Sequence, residues 1–251
     1  MSALDWLIAR PVAHRGLHDP AHGIIENTPS AFAAAIAGNY AIECDLQLAG
    51  DGEAMVHHDD TLGRLTEGSG RLDAMTADAL KHAPFRHTAD RMMTLSELCQ
   101  FVASRVPLVI ELKSRFDGDR RLVIKTAQVL AGYAGRAAVM SFDPAQIRAL
   151  RAIAPELPRG LVAERRYRGP RQESREDGAA AETRRALAYL QQGVQSRPQF
   201  VAYAVKDLPA TLPLAAHVLG LPVLTWTVRS DEDRQRAARW ADQIIFEGFR
   251  P

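Results

Sequence analysis

Two apolar stretches of the chain carry acids where a buried strand would be expected to carry none. In Ala41-Ile42-Glu43-Cys44-Asp45-Leu46-Gln47-Leu48, strand geometry sends Ile42, Cys44, Leu46 and Leu48 to one face and Glu43, Asp45 and Gln47 to the other. A half-exposed antiparallel strand would alternate in the same way. A strand of a parallel barrel is covered on both faces, however, and should be almost wholly apolar. Two carboxylates on a buried face repel each other and lose hydration, and a cation relieves both costs. Hard, charged oxygen donors suit Mg²⁺ or Ca²⁺. The pattern recurs in Val106-Pro107-Leu108-Val109-Ile110-Glu111-Leu112-Lys113, where Glu111 and Lys113 share one face at the end of an apolar run. Glu111 can complete an oxygen triad with Glu43 and Asp45, while Lys113 balances charge or grips a phosphate oxygen. The plainer alternative is an ion pair between Glu111 and Lys113 alone.

Histidines supply the second kind of chemistry, since imidazole gives and takes protons near neutral pH. Asp51-Gly52 lies between two strand-like runs and signals a hairpin leading to Val56-His57-His58-Asp59. With those two residues as the turn, Gly50 faces Glu53 and Asp45 lies opposite His58. A three-residue turn pairs Asp45 with His57 instead, so the register leaves both histidines open. His14 ends another short apolar run and is followed by Arg15 and Gly16. Arginine can hold a phosphate through two parallel hydrogen bonds, and glycine lets the backbone approach a ligand. His18, His22, His82, His87 and His217 fall in loop-like or helical contexts and read as surface or structural.

The elements that must position these groups alternate short apolar runs with amphipathic ones, the pattern of repeated β-α units around a parallel sheet. Eight strands are predicted: Pro11–His14, Ala41–Leu46, Leu108–Leu112, Ala137–Ser141, Gly160–Ala163, Phe200–Val205, Val223–Val228 and Gln243–Phe246. Helices are predicted over Ser30–Ala37, Ser96–Ser104, Gly118–Ala131, Pro144–Ala154, Ala180–Gln192 and Asp231–Trp240, with Ser30, Ser96, Asp143 and Asp231 near their starts as caps. Residues 164–182 are dense in Arg and Glu and read as a surface loop after the fifth strand. A chain of 251 residues is the size of one (β/α)₈ TIM barrel, about 250 residues. We therefore expect a single α/β domain over residues 1–251, with a small β-hairpin extension after the second strand.

Lys and Arg total 31 against 30 Asp and Glu, a net charge of +1, so no global field gathers nucleic acid or coats an anionic membrane. Affinity for phosphate must come from a local site. Cys44 and Cys99 are the only cysteines and lack metal-ligand spacing; reduced structural thiols are expected. The start of the chain, Met1-Ser2-Ala3-Leu4-Asp5-Trp6, does not read as a secretory signal, and no apolar run approaches the roughly 20 residues of a membrane span. The expectation is a cytoplasmic protein without stable membrane anchoring.

With these residues in view, the chain resembles the glycerophosphodiester phosphodiesterase family. The matching elements are His14-Arg15-Gly16, Glu26-Asn27-Thr28 followed by Ala31-Phe32, Ile42-Glu43-x-Asp45, and Asp51-Gly52. They continue with Val56-x-His58-Asp59-x-x-Leu62-x-Arg64-x-Thr66, Ile110-Glu111-x-Lys113, Ser141-Phe142 and Trp226-Thr227. Each alone is weak, but the ordered set spans nearly the whole chain and is specific. The resemblance implies a (β/α)₈ barrel holding one divalent cation, Mg²⁺ or Ca²⁺, at Glu43, Asp45 and Glu111. It implies His14 and His58 as the acid–base pair, and Arg15 with Lys113 near the phosphate. His58 rather than His57 fits the family pattern. Trp226 would form a substrate wall, and Glu26 with Asn27 would order the loop after strand one or contact the ligand.

The implied reaction releases an alcohol and glycerol 3-phosphate from a small phosphodiester, within glycerol and lipid metabolism, in a monomer or homodimer. A related barrel phosphodiesterase acting on lipid, of lysophospholipase D or phosphoinositide-cleaving type, is the nearer alternative. A non-catalytic barrel binding phosphorylated ligands is the further one. Two departures stand out. Ile244-Ile245-Phe246-Glu247 replaces an Ile-Ile-Thr-Asp type ending, placing a Phe where a small polar rim residue is usual, and Met92-Met93 replaces an Ile-Pro pair. Neither is expected to touch the chemical core.

Overall fold

Eight strands pair in parallel, and the first closes on the last. The computed structural model describes residues 4–165 and 193–251. Its strands are β1 (Val12–Ala13), β2 (Ala41–Leu48), β3 (Ala54–Val56), β4 (Leu108–Leu112), β5 (Ala137–Ser141), β6 (Arg159–Ala163), β7 (Phe200–Ala204), β8 (Val223–Val228) and β9 (Gln243–Phe246). The order β1-β9-β8-β7-β6-β5-β4-β2 is closed by the parallel β1–β2 pair, and β3 adds to β2 antiparallel. This is the (β/α)₈ barrel with its hairpin extension, and each predicted strand lies within two residues of an observed one.

Helix α1 (Asp5–Ile8) precedes β1, and α2 (Pro29–Ala37), α3 (Ala77–His82), α4 (Leu95–Val102), α5 (Arg121–Ala131), α6 (Pro144–Ile153), α7 (Thr211–Val218) and α8 (Asp231–Trp240) occupy connections between strands. The helix predicted over Ala180–Gln192 and most of the segment 164–182 lie outside the described residues. Of the four predicted caps only Asp143 acts as one, accepting from Ala145 N–H. Thr94 replaces Ser96 through a capping box with Glu97, and Ser230 replaces Asp231. In each case the capping oxygen sits one or two residues earlier, where the backbone is still extended.

Two apolar layers fill the barrel and its jacket. Ile42, Cys44, Leu46, Leu108 and Ile110 face outward and pack with Phe32, Leu95, Leu98 and Val123 of the helices. Val12, Ala41, Val109, Ala138, Val162, Phe200, Leu224 and Ile245 fill the interior. Gly160 makes room for Phe200: a Cβ there would lie 2.2 Å from the Phe200 ring. Along β1, β2, β4 and β9 the inward positions change from apolar to ionisable as they rise toward the carboxyl end, where barrel sites form. Val12 gives way to His14, Ala41 to Glu43 and Asp45, Val109 to Glu111, and Ile245 to Glu247.

Candidate active site

The strand register brings the acids together. Asp45 and Glu111 are direct partners across β2 and β4, while Glu43 sits one inward step below Asp45. Each offers a carboxylate oxygen, and these oxygens lie within 4.8 Å of one another. Glu43 and Asp45 are each 1% exposed and Glu111 7%, so water does little to screen them. Their counter-charges are close. Lys113 Nζ donates to Asp45 Oδ1 at 2.7 Å and to Glu111 Oε1 at 2.6 Å. The Glu111–Lys113 pair thus exists, but as part of a larger cluster. Arg15 Nε lies 3.1 Å from Asp45 Oδ2 without hydrogen-bond alignment.

Backbone conformation at the end of β1 is what delivers Arg15. Arg15 and Gly16 both have positive φ, +55° and +80°. That turn aims Arg15 N–H at Glu43 Oε2, 2.9 Å away. A Cβ on Gly16 would sit 2.8 Å from the Ala31 side chain and 2.9 Å from its backbone, so glycine is required twice over, by conformation and by the approach of α2. Asn27, 1% exposed, clamps Asp45 by donating to Oδ2 at 2.9 Å while its own Oδ1 accepts from Asp45 N–H. Glu26 accepts from Arg15 and Arg64, both at 2.7 Å. Both side chains are therefore turned to protein partners.

Burial followed by repulsion from Asp45 and Glu111 pushes the Glu43 carboxyl well above the usual carboxylate range. Asp45 is equally buried, but Lys113 and Arg15 outweigh desolvation and hold it well below that range. Lys113, despite burial, is raised above an ordinary lysine by Asp45 and Glu111. The residues present fit a hard divalent cation. The donor set is all oxygen, and among the described residues no Lys or Arg side chain forms an ion pair with Glu43 to offset its burial.

Two imidazoles flank the triad. His14 Nε2 is 4.0 Å from Glu43 Oε2, and its Nδ1 is 2.5 Å from Glu247 Oε2. Burial lowers the His14 pKa in spite of that hydrogen bond. His58 Nδ1 is 2.8 Å from Asp59 Oδ1, and Arg64 grips Asp59 at both oxygens. Desolvation of Asp59 is overcome by Arg64 and His58, which hold it at about 2. His14, His58, Glu43, Glu111, Arg15 and Lys113 line one cavity of about 640 Å³ at the barrel mouth, a volume suited to a small ligand. Trp226 forms part of its wall, edge-on to Phe142 at 5.5 Å, with its indole N–H on Ala202 O.

The structure decides one open sequence reading and corrects two others. The hairpin pairs Leu46 with Val56 and Leu48 with Ala54, and Ala49 N–H bonds Glu53 O, so the turn has three residues and not two. Gly50 N–H bonds Met75 O and Asp51 caps Ala77 N–H, and these distant partners set the register. Asp45 consequently pairs with His57, whose N–H bonds its carbonyl. Yet His57 is buried edge-on to Phe85, and His58 reaches the cavity. Second, Phe246 is not at the rim. It points outward, fully buried, against Tyr40 and Phe249. Third, the Glu247 departure does touch the core, through His14. His18, read as surface or structural, lies in the same cluster, its Nε2 3.4 Å from Glu247 Oε2. The sequence did hold a signal for Glu247: it shares the inward parity of Ile245. Cys44 and Cys99 are free and buried, as expected.

A family model described as the glycerophosphoryl diester phosphodiesterase family matches residues 14–248. The chain belongs to that family. Within it, the glycerophosphodiester phosphodiesterase of Caldanaerobacter subterraneus subsp. tengcongensis is 31% identical over 162 residues, which is 60% of this chain and 65% of that relative's length. Human glycerophosphodiester phosphodiesterase 1 is 37% identical over 71 residues, 28% of this chain and 20% of its own. Among solved structures, a phosphodiesterase of Oleispira antarctica, in complex with its product sn-glycerol-3-phosphate, superposes with a TM-score of 0.77 at 18% identity, covering 96% of this chain and 93% of that one. The glycerophosphodiester phosphodiesterase of Thermotoga maritima gives a TM-score of 0.68 at 20% identity, covering 94% of each chain. These two likenesses show the barrel fold. No helix among the described residues is long and apolar enough to cross a membrane.

Proposed function

We propose that this chain is a metal-dependent phosphodiesterase that hydrolyses glycerophosphodiesters to an alcohol and glycerol 3-phosphate, acting as one domain over residues 1–251. One observation carries the reading: three buried carboxylate oxygens within 4.8 Å of one another, beside two imidazoles that line the same cavity. A module that only bound phosphate would need cations there, not a carboxylate triad and a proton-transfer pair. The family and the glycerol 3-phosphate held by the Oleispira relative support the substrate class.

Glu43, Asp45 and Glu111 would hold the divalent cation, Mg²⁺ or Ca²⁺, which when bound supplies Lewis-acid stabilisation of charge growing on the phosphoryl oxygens. Arg15 and Lys113 add fixed positive charge on the same side of the cavity. One histidine takes the proton of the attacking oxygen and the other protonates the leaving alcohol. The attacker is water, giving glycerol 3-phosphate directly, or the neighbouring glycerol hydroxyl, which expels the alcohol to form a cyclic phosphate that water then opens to glycerol 3-phosphate. Trp226 and Phe142 offer an apolar wall against which the alcohol is positioned.

The test is release of choline from glycerophosphocholine by purified protein with Mg²⁺ or Ca²⁺. Turnover should fall to background with a chelator and return when the metal is restored. Chelator-insensitive turnover, or none across a panel of glycerophosphodiesters, defeats this reading.

A further inference from the structure

We infer that Glu247 is a positioning residue that fixes the tautomer of His14, and that Arg229 fixes which way Glu247 faces. The inference rests on the reading of His14 as a proton-transfer group. The three residues follow neighbouring strands β1, β9 and β8, at the mouth of the barrel. Glu247 Oε2 lies 2.5 Å from His14 Nδ1 and 3.4 Å from His18 Nε2, while its Oε1 accepts from Arg229 Nε at 2.5 Å. Burial of Glu247 is outweighed by His14, His18 and Arg229, which hold its carboxyl well below the usual range.

An ionised carboxylate only accepts hydrogen bonds. Neutral His14 must therefore carry its proton on Nδ1, leaving the lone pair on Nε2, the nitrogen facing the triad. When His14 takes up a second proton, the carboxylate stabilises the imidazolium. Both halves of proton transfer thus depend on an acceptor at Nδ1.

Arg229 makes this separable from a merely structural role. In Glu247→Gln, the guanidinium demands an acceptor and draws the amide oxygen toward itself. The amide NH₂ is then turned to the position between His14 Nδ1 and His18 Nε2, both of which can accept from it. His14 is driven to the Nε2–H tautomer, which cannot take a proton from an attacking oxygen, and its imidazolium is opposed by the facing donor. Glu247→Ala merely removes the support. The nearly isosteric Gln should be the more damaging substitution, the reverse of what loss of packing predicts.

The experiment compares full-length wild type, E247A, E247Q and the double variant R229A/E247Q on glycerophosphocholine, with ¹⁵N NMR of the His14 ring at pH 7.5. Expected is a kcat loss of about tenfold in E247A and roughly 10²-fold in E247Q, with KM little changed. R229A/E247Q should recover toward E247A, because the amide is free to turn. NMR should report Nδ1–H in wild type and Nε2–H in E247Q. A Gln variant as active as the Ala variant, or a His14 tautomer indifferent to Glu247, overturns the inference. The tautomer is read without turnover, so a wild type inactive on this diester would defeat the functional reading while NMR still decided this one.

Discussion

On one side of the barrel mouth His14 leans on Glu247, with Arg229 behind it; on the other, His58 leans on Asp59, with Arg64 behind it. The parts correspond one for one, yet the two arms are built differently. The His58 arm is local: its three residues lie within seven consecutive positions just after β3. The His14 arm joins residues 233 positions apart and exists only because β1 closes on β9. The arms also differ in what else they hold. Arg64 reaches past Asp59 to Glu26, which in turn grips Arg15 beside the triad. Arg229 pairs, among the described residues, with Glu247 alone. One arm is isolated and the other is wired through Glu26 to Arg15 beside the triad.

The largest effects should come from the imidazoles themselves. His14→Ala and His58→Ala should each lower kcat by about 10²–10⁴-fold, with metal affinity measured by calorimetry little altered. If the two rings act as a unit, the double variant should be hardly worse than the poorer single one. Fully multiplicative losses would show that the arms work on separate steps, and an intact rate in either single variant would remove that histidine from the chemistry.

The next contrast is between the arginines. Arg64→Ala releases Asp59 and Glu26 together, so it should lower kcat about tenfold and raise KM several-fold, by loosening Arg15 as well as His58. Arg229→Ala frees only Glu247 and should change kcat about threefold, with KM unmoved. Steady-state kinetics on both variants reads this directly. Equal KM values would mean that the Glu26 bridge carries no coupling between the arms.

This difference in wiring also explains what could be read before the structure. His58, Asp59 and Arg64 stand in one short motif, and the acids of β2 and β4 are exposed by strand parity against an apolar background. The barrel itself follows from alternation and length. Glu247, His18 and Arg229 have no local signature, since their meeting depends on closure of the sheet, although the parity of Ile245 and Glu247 was available. The hairpin register stayed open for a related reason: Asp51-Gly52 is a good two-residue turn in isolation, but Met75 and Ala77 recruit Gly50 and Asp51 into a longer one. Local chemistry was legible; contacts set by distant segments were not.

The smallest effect on activity should come from a third imidazole, which belongs to the His58 arm but faces away from the cavity. His57 is 1% exposed, its Nδ1 has no hydrogen-bond partner among the described residues, and burial pulls its pKa from 6.5 to about 4. Above pH 6.5 the ring is neutral in both folded and unfolded chains, and its contribution to stability is fully present. Between pH 6.5 and 4 the unfolded chain binds a proton that the native ring refuses, so stability falls as pH falls. Below about 4 the native ring also protonates and the loss levels off. Linkage makes the whole gap worth roughly 3 kcal/mol. His57→Leu removes the titration and nearly keeps the volume. Urea unfolding at pH 7 and pH 4.5 should therefore show the variant losing less stability on acidification than wild type, by roughly 2 kcal/mol, while other carboxylate contributions cancel in the difference. Turnover near neutral pH should change little, because the ring that reaches the cavity is His58. Parallel losses in the two proteins would mean that His57 is not held neutral by burial, and a collapse of turnover would bring it into the chemistry from which its position excludes it.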